Sequence, residues 1–268
     1  MKGLYGTDAY SPDEIAEQIE EVGVGKANLP LVKMIALGIL AGGFIALGAM
    51  FYTLVASDGE LSFAVSRVIG GLAFSLGLIL VVIGGAELFT GNNLLVMAWV
   101  DRRISTGRLA RNFVVVYLAN FVGSVGLAGL VYFSGYLGMN DGSVRETAVA
   151  IAAAKIQIPA GEAFCRGVLC NILVCLAIWL AAAGRQVVNR VLAIVFPITA
   201  FVACGFEHCV ANMYFIPLGI FCAPEAISWP GLAANLVPVT LGNLVGGAGM
   251  VGLVAYVIYR RPGGGSKI

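Results

Sequence analysis

The chain has 268 residues, 59% of them apolar and only 12% charged, with a net charge of +1 and a mean hydropathy of +0.93. A soluble domain usually carries about 25% charged residues, so a water-soluble enzyme or binding module is excluded, and no nucleic-acid partner is expected. The expected class is an all-α polytopic membrane protein in contact with the lipid bilayer.

Residues 1–30 are expected to form a cytoplasmic amphipathic segment. They are polar and acidic, which argues against a signal peptide. Ser11-Pro12-Asp13-Glu14 combines an N-cap, a proline at the first helical position and a capping-box glutamate. Ile15, Ile19 and Val22 then make one apolar stripe. A transmembrane domain over 31–260 follows, then a cytoplasmic tail over 261–268. The runs Met34–Ala56, Asn112–Asn140, Gly167–Gly184 and Ala226–Tyr259 hold no charge. Val68–Val100 holds only Glu87, and Val191–Pro224 only Glu207 and His208. Each run is long enough for a spanning helix of roughly 20 residues, so six spans are expected.

Spans two and five carry the same unusual pattern. GAELFTGN places Gly85, Glu87 and Asn92; GFEHCVAN places Gly205, Glu207 and Asn212. The match extends to LANFVGSVGLAGLV in span three and LGNLVGGAGMVGLV in span six, with glycines 123, 126 and 129 against 246, 249 and 252. LGIL at 37–40 against RGVL at 166–169 joins spans one and four weakly. Three spans per half force the second half to enter from the opposite side. Inverted repeats over about 31–135 and 161–260 are therefore expected, with the second and fifth helices broken at mid-depth. The glycine stripes would let helices approach closely.

Lysine and arginine are distributed unevenly. Lys2, Lys26, Lys33, Arg102, Arg103, Arg108, Arg111, Arg185, Arg190, Arg260, Arg261 and Lys267 fall on one side of the spans. Only Arg67, Arg145, Lys155 and Arg166 fall on the other. This places both termini in the cytoplasm, with the protein in the cell inner (plasma) membrane.

Irregular backbone at membrane depth survives only inside protein or beside a cavity. Half-helices starting near Asn92 and Asn212, with these asparagines as caps, would aim free N–H groups at an anion. Glu87 and Glu207 are read as loop-structuring groups that accept backbone N–H hydrogen bonds, because an unpaired buried carboxylate is too costly. His208, the only histidine, falls opposite Leu88 in the repeat, and an ionisable intramembrane group is a functional candidate by default. Thr90 offers a hydroxyl for a central Thr–His pair. The six cysteines form no CxxC pair, and those five apart (165, 170, 175 and 204, 209) fall on different helix faces, so no metal, catalytic nucleophile or cofactor is expected.

At these residues the chain resembles the formate/nitrite transporter family. The resemblance runs from about Tyr10 to Tyr259 and is carried by GGLAFSLGLILVVIGGAELFTGN, GVLCNILVCLAIW, AFVACGFEHCVANM and VTLGNLVGG. It implies an aquaporin-like fold and a homopentamer with one pore per subunit. It also implies a cytoplasmic constriction of Phe74, Leu78, Leu88 and Ala211, and an outer one of Phe89, Val174 and Phe201. Thr90, His208, Asn171 and Asn243 would be the central polar pore groups, and Lys155 a vestibule cation that concentrates anions. The implied function is passage of a small monovalent anion in either direction, formate first, with an exit as neutral formic acid. Nitrite and hydrosulfide are alternatives within the family. An aquaporin-like neutral-solute channel is disfavoured by GNN and ANM at the half-helix starts. An intramembrane enzyme lacks a nucleophile or full metal set beside His208.

Overall fold

The computed structural model describes residues 9–261. Residues 1–8 of the expected N-terminal segment and residues 262–268 of the expected tail over 261–268, with Lys2 and Lys267 among them, lie outside the described residues. Apart from one isolated bridge between Ala9 and Gly184, the regular structure is helical. Helix α1 spans Pro12–Ala27, α2 Leu31–Ala56 and α3 Phe63–Gly84. After a break come α4 (Phe89–Asn92), a 3-10 turn at Asn93–Leu95 and α5 (Val96–Val100). Then follow α6 (Thr106–Phe133), α7 (Ser143–Ile156) and α8 (Ala160–Ala183). The chain continues through α9 (Val187–Ala203), a second break, α10 (Cys209–Cys222) and α11 (Trp229–Leu244). A π-helical stretch at Val245–Leu253 joins α11 to α12 (Val254–Tyr259).

Among the described residues, five helices are long and apolar enough to cross a membrane: α2, α3, α6, α8 and the continuous run Trp229–Tyr259. The fifth apolar stretch of the sequence is divided instead between α9 and α10, which are shorter. Large apolar side chains such as Val32, Phe133 and Phe196 point outwards, each more than three-quarters exposed, as a chain solvated by lipid tails allows. Helix α2 packs along α3 and α6, α8 along α9 and α11, and α3 along α9.

Glycine sets the closest of these contacts. A β-carbon on Gly42 would stand 2.1 Å from the Asn120 carbonyl oxygen, and one on Gly123 2.0 Å from that of Ile39. In the second half, a β-carbon on Gly246 would stand 2.2 Å from the carbonyl oxygen of Val168. The helices meet backbone to backbone, which only glycine permits. Neither of the full stripes expected at 123, 126, 129 and 246, 249, 252 forms. Gly126, Gly129 and Gly249 have open space where a β-carbon would sit. Wider π turns from Val245 onwards rotate later positions off the face that Gly246 occupies.

Helix α1 begins as expected: the Ser11 backbone N–H donates to Glu14 Oε2 (2.8 Å), and the Glu14 N–H donates to Ser11 Oγ (3.4 Å). Its buried face differs. Ile15 and Ile19 are buried, but Val22 is 55% exposed, and Ala16, Gly23 and Ala27 complete the face. Glu20 is fully buried there, paired with Arg260 (3.0 Å) and Arg103 (3.7 Å). Burial raises its carboxyl above the ordinary 4.5; the attraction of Arg260 opposes this as a smaller cause. A raised folded pKa means that the docked state holds the proton more tightly. Docking of α1 is therefore expected to be firmest in acid and to weaken as pH rises above 4.5 through the raised value. Hydrogen-exchange protection of α1 compared at about pH 5 and about pH 8 checks this; greater protection at the higher pH contradicts it.

Candidate functional site

Both breaks are built by the same local device. Helix α3 ends on Gly85 with φ 70°, and α9 gives way to Gly205 with φ 74°. Only glycine takes that left-handed turn without strain. The Ala86 N–H then donates to Val81 O and the Phe206 N–H to Phe201 O, each at 3.0 Å, closing the two helix ends identically. The extended segment beyond docks on a neighbouring helix. The Glu87 N–H donates to Leu37 O (3.2 Å), and the Glu207 N–H to Arg166 O (3.3 Å).

One asparagine clamps each break. Asn120 Nδ2 donates to Gly38 O (2.7 Å) and Glu87 O (2.8 Å), while its Oδ1 accepts from Phe89 N (2.9 Å). Asn243 Nδ2 donates to Gly167 O (2.8 Å) and Glu207 O (3.0 Å), while its Oδ1 accepts from Cys209 N (2.9 Å). The first free N–H of each half-helix is thereby capped from another helix. Asn243 is committed to the frame in this way, and the linings of the two cavities described below do not include it. Asn171 is similar: its Nδ2 donates to Asn243 O (2.7 Å), Asn93 Oδ1 (3.0 Å) and Thr90 O (3.3 Å).

The carboxylates accept from side chains rather than from the backbone N–H groups expected. Glu87 takes Lys26 Nζ at 3.0 Å and Asn92 Nδ2 at 2.7 Å. Glu207 takes Lys155 Nζ at 2.8 Å and Asn212 Nδ2 at 2.6 Å. The asparagines reach further, Asn92 to Asn112 Oδ1 (2.9 Å) and Asn212 to Asn235 Oδ1 (2.7 Å). Asn112 and Asn235 return to the carbonyls of Lys26 (3.4 Å) and Lys155 (2.8 Å). Each half thus holds a closed Lys–Glu–Asn–Asn ring. The rings differ at one atom: Asn92 Oδ1 also accepts from Lys26 Nζ (2.8 Å), whereas Asn212 Oδ1 has no partner among the described residues. Asn92 and Asn212 lie inside α4 and α10 rather than capping them, because the half-helices start earlier, after Leu88 and His208.

His208 is itself the cap of α10. Its Nδ1 accepts the Ala211 N–H at 3.1 Å, and its Nε2 lies 2.8 Å from Thr90 Oγ1. Since Nδ1 is an acceptor, the neutral ring carries its proton on Nε2 and donates to the Thr90 hydroxyl. The expected pair therefore forms across the two breaks, with Thr90 fully buried and His208 3% exposed.

Two cavities with no lining residue in common approach this centre. The first, of about 370 Å³, is lined by Arg67, Lys155, Arg166, Glu207, His208, Phe74, Phe201 and Ala211 among others. The second, of about 290 Å³, includes Lys26, Arg190, Asn92 and Leu88. The aromatic rings group differently from the two expected constrictions. Phe74 packs edge-on to Phe201 (5.5 Å between centroids), and Phe201 lies against His208 (5.9 Å). Phe74 and Ala211 thus share the first cavity with Lys155, while Leu88 faces the second. Phe89 packs instead on Phe113 and Tyr117 of α6. Leu78 and Val174 are buried and line neither cavity.

Apolar helices of spanning length, two internal breaks and a buried imidazole–hydroxyl pair between cation-lined cavities define a multi-pass membrane transport protein. The sequence pattern of the formate/nitrite transporter family matches residues 13–257, and the chain belongs to that family. It is 42% identical over 265 residues to the formate channel FocA of Haemophilus influenzae, covering 91% of this chain and 93% of that one. It is 39% identical to a formate channel of Bacillus thuringiensis, covering 94% and 96%. Among solved structures, it resembles a pentameric formate channel with formate bound, at 34% identity and a TM-score of 0.78, covering 86% and 98%.

Proposed function

We propose that this chain is a formate channel rather than an enzyme, working as a homopentamer with one pore per subunit in the cell inner membrane. The observation that carries the reading is the Thr90–His208 pair at 2.8 Å, buried where the two breaks meet and reached by a cavity containing three cations. The His208 Nε2–H donates to Thr90, which leaves the hydroxyl hydrogen free to donate to an anion's oxygen. Formate channels among the similar proteins, including one bound to formate, support the choice of anion.

Six spans in two inverted triplets accommodate the mirrored frames. Both termini are cytoplasmic in this reading, supported by the lysine and arginine distribution. In this reading Leu88 walls the second cavity, Phe74 and Phe201 close the first, and the buried Leu78 and Val174 are further apolar side chains along the route. Bare charge crosses such walls at high cost, whereas neutral formic acid does not.

Uptake of formate, nitrite and hydrosulfide into proteoliposomes from one preparation tests the reading. Formate is expected to enter fastest. No formate uptake above protein-free vesicles sinks it, and faster nitrite or hydrosulfide uptake reassigns the substrate within the family.

A further inference from the structure

Lys155 is the cation expected to gather anions, yet its charge is already answered. Its Nζ sits 2.8 Å from Glu207, and Arg166, in the same cavity, is paired with Glu162. Arg67 is different. Its Nε donates to Ala203 O (2.9 Å), one Nη to Val202 O (3.0 Å) and the other to Tyr52 Oη (3.1 Å). All three acceptors are neutral, and no carboxylate lies within ion-pair reach among the described residues. The bonds fix the guanidinium at the end of α9, where it also satisfies carbonyls that the helix leaves free. Gly205 makes the room: a β-carbon there would stand 2.9 Å from Arg67 Nη2.

The second cavity repeats this division. Lys26 is paired with Glu87, while Arg190 donates through Nε to Gly184 O (3.0 Å) and has no carboxylate partner among the described residues. Each cavity therefore holds one lysine neutralised within its frame and one arginine with net charge to spare.

We propose that Arg67, with Arg190 as its counterpart, captures the anion at the cavity mouth, while Lys155 and Lys26 serve the frames. This rests on the channel reading above. A guanidinium makes five N–H donors, of which the protein occupies three in Arg67, and the remaining pair suits the two oxygens of a small carboxylate. A fixed, uncompensated charge at a mouth raises the local anion concentration, and salt screens that gain.

The test is formate uptake by proteoliposomes at about 0.01 M and about 1 M ionic strength, for wild type, Arg67→Gln and Arg67→Lys. Wild-type uptake is expected to fall roughly threefold to tenfold at high salt. Arg67→Gln should start near the wild type's high-salt rate and vary little, and Arg67→Lys should restore most of the salt dependence. A merely structural role for Arg67 would not make salt response follow the charge. Should Arg67→Gln fail to fold, Ala154→Glu puts an opposing charge in the same cavity while leaving Arg67 in place, and it should flatten or reverse the salt response. Wild-type salt dependence in Arg67→Gln, or in Ala154→Glu where that variant stands in for it, overturns the proposal while formate uptake itself stands. A wild-type chain that carries no formate overturns both this proposal and the channel reading.

Discussion

Replacing His208 by phenylalanine is expected to lower formate uptake roughly tenfold to hundredfold, the equivalent of losing one strong hydrogen bond along the route. Phenylalanine removes the donor that orients the Thr90 hydroxyl and also the acceptor that caps Ala211 N at the start of α10. The second loss concerns folding, about 0.5–2 kcal/mol for a cap, and must be separated from the first. His208→Asn does so, because a shorter side chain still caps the helix but does not span to Thr90. Its uptake should be as poor as that of His208→Phe, with folded yield near wild type. Wild-type uptake in His208→Asn would remove the imidazole–hydroxyl pair from the mechanism. The pH profile of His208→Phe gives a separate answer: if it matches wild type, His208 takes no part in the proton step.

The largest effect on stability is expected from Glu207→Ala. It leaves the Lys155 ammonium, whose side chain is only 14% exposed, without its partner, and Asn212 Nδ2 without one of its two acceptors. Removing one member of a buried ion pair costs about 3–5 kcal/mol. Glu87→Ala should cost less, for two reasons visible in the first ring. Lys26 is more exposed, at 27%, and keeps Asn92 Oδ1 at 2.8 Å as a second acceptor. Thermal unfolding of detergent-solubilised protein should therefore place Glu207→Ala lowest, then Glu87→Ala, then wild type. The reverse order would show that the two rings are not loaded as their geometry implies.

Much of this architecture was legible because the chain states it twice. Gly85 and Gly205, Glu87 and Glu207, and Asn120 and Asn243 stand out because glycine breaks and polar side chains are rare inside apolar runs. His208 stood out against Leu88 for the same reason. Lys26 was hidden: it lies in a polar lead-in where a lysine is ordinary, and it counted only towards the charge distribution. The signal was nevertheless present. Lys26 to Pro30 and Lys155 to Pro159 have the same spacing, and both pairs keep the offset of LGIL against RGVL. Each proline precedes the helix that carries that match. Asn112 and Asn235 likewise extend the alignment of Asn120 with Asn243. The half-helix starts lie earlier than the sequence suggests because residues with good capping chemistry, Asn92 and Asn212, are used as cross-links instead. Their work as caps falls to side chains distant in sequence, Asn120 and Asn243, and in α10 also to His208. The ring groupings were not legible, since which of several phenylalanines meet depends on helix rotation, which an all-apolar stretch does not specify.

The glycine contacts limit how this protein can move. Where Gly42 and Gly123 bring α2 and α6 together, the gap between backbones is smaller than a methyl group. Two rods interlocked so tightly cannot slide or scissor past one another without collision. Gly246 imposes the same condition on α8 and the π-helical run beyond α11. These pairs act as rigid walls, so the freedom to rearrange lies outside them, and the short extended pieces at the two breaks, free of such backbone-to-backbone contacts, are one place for it.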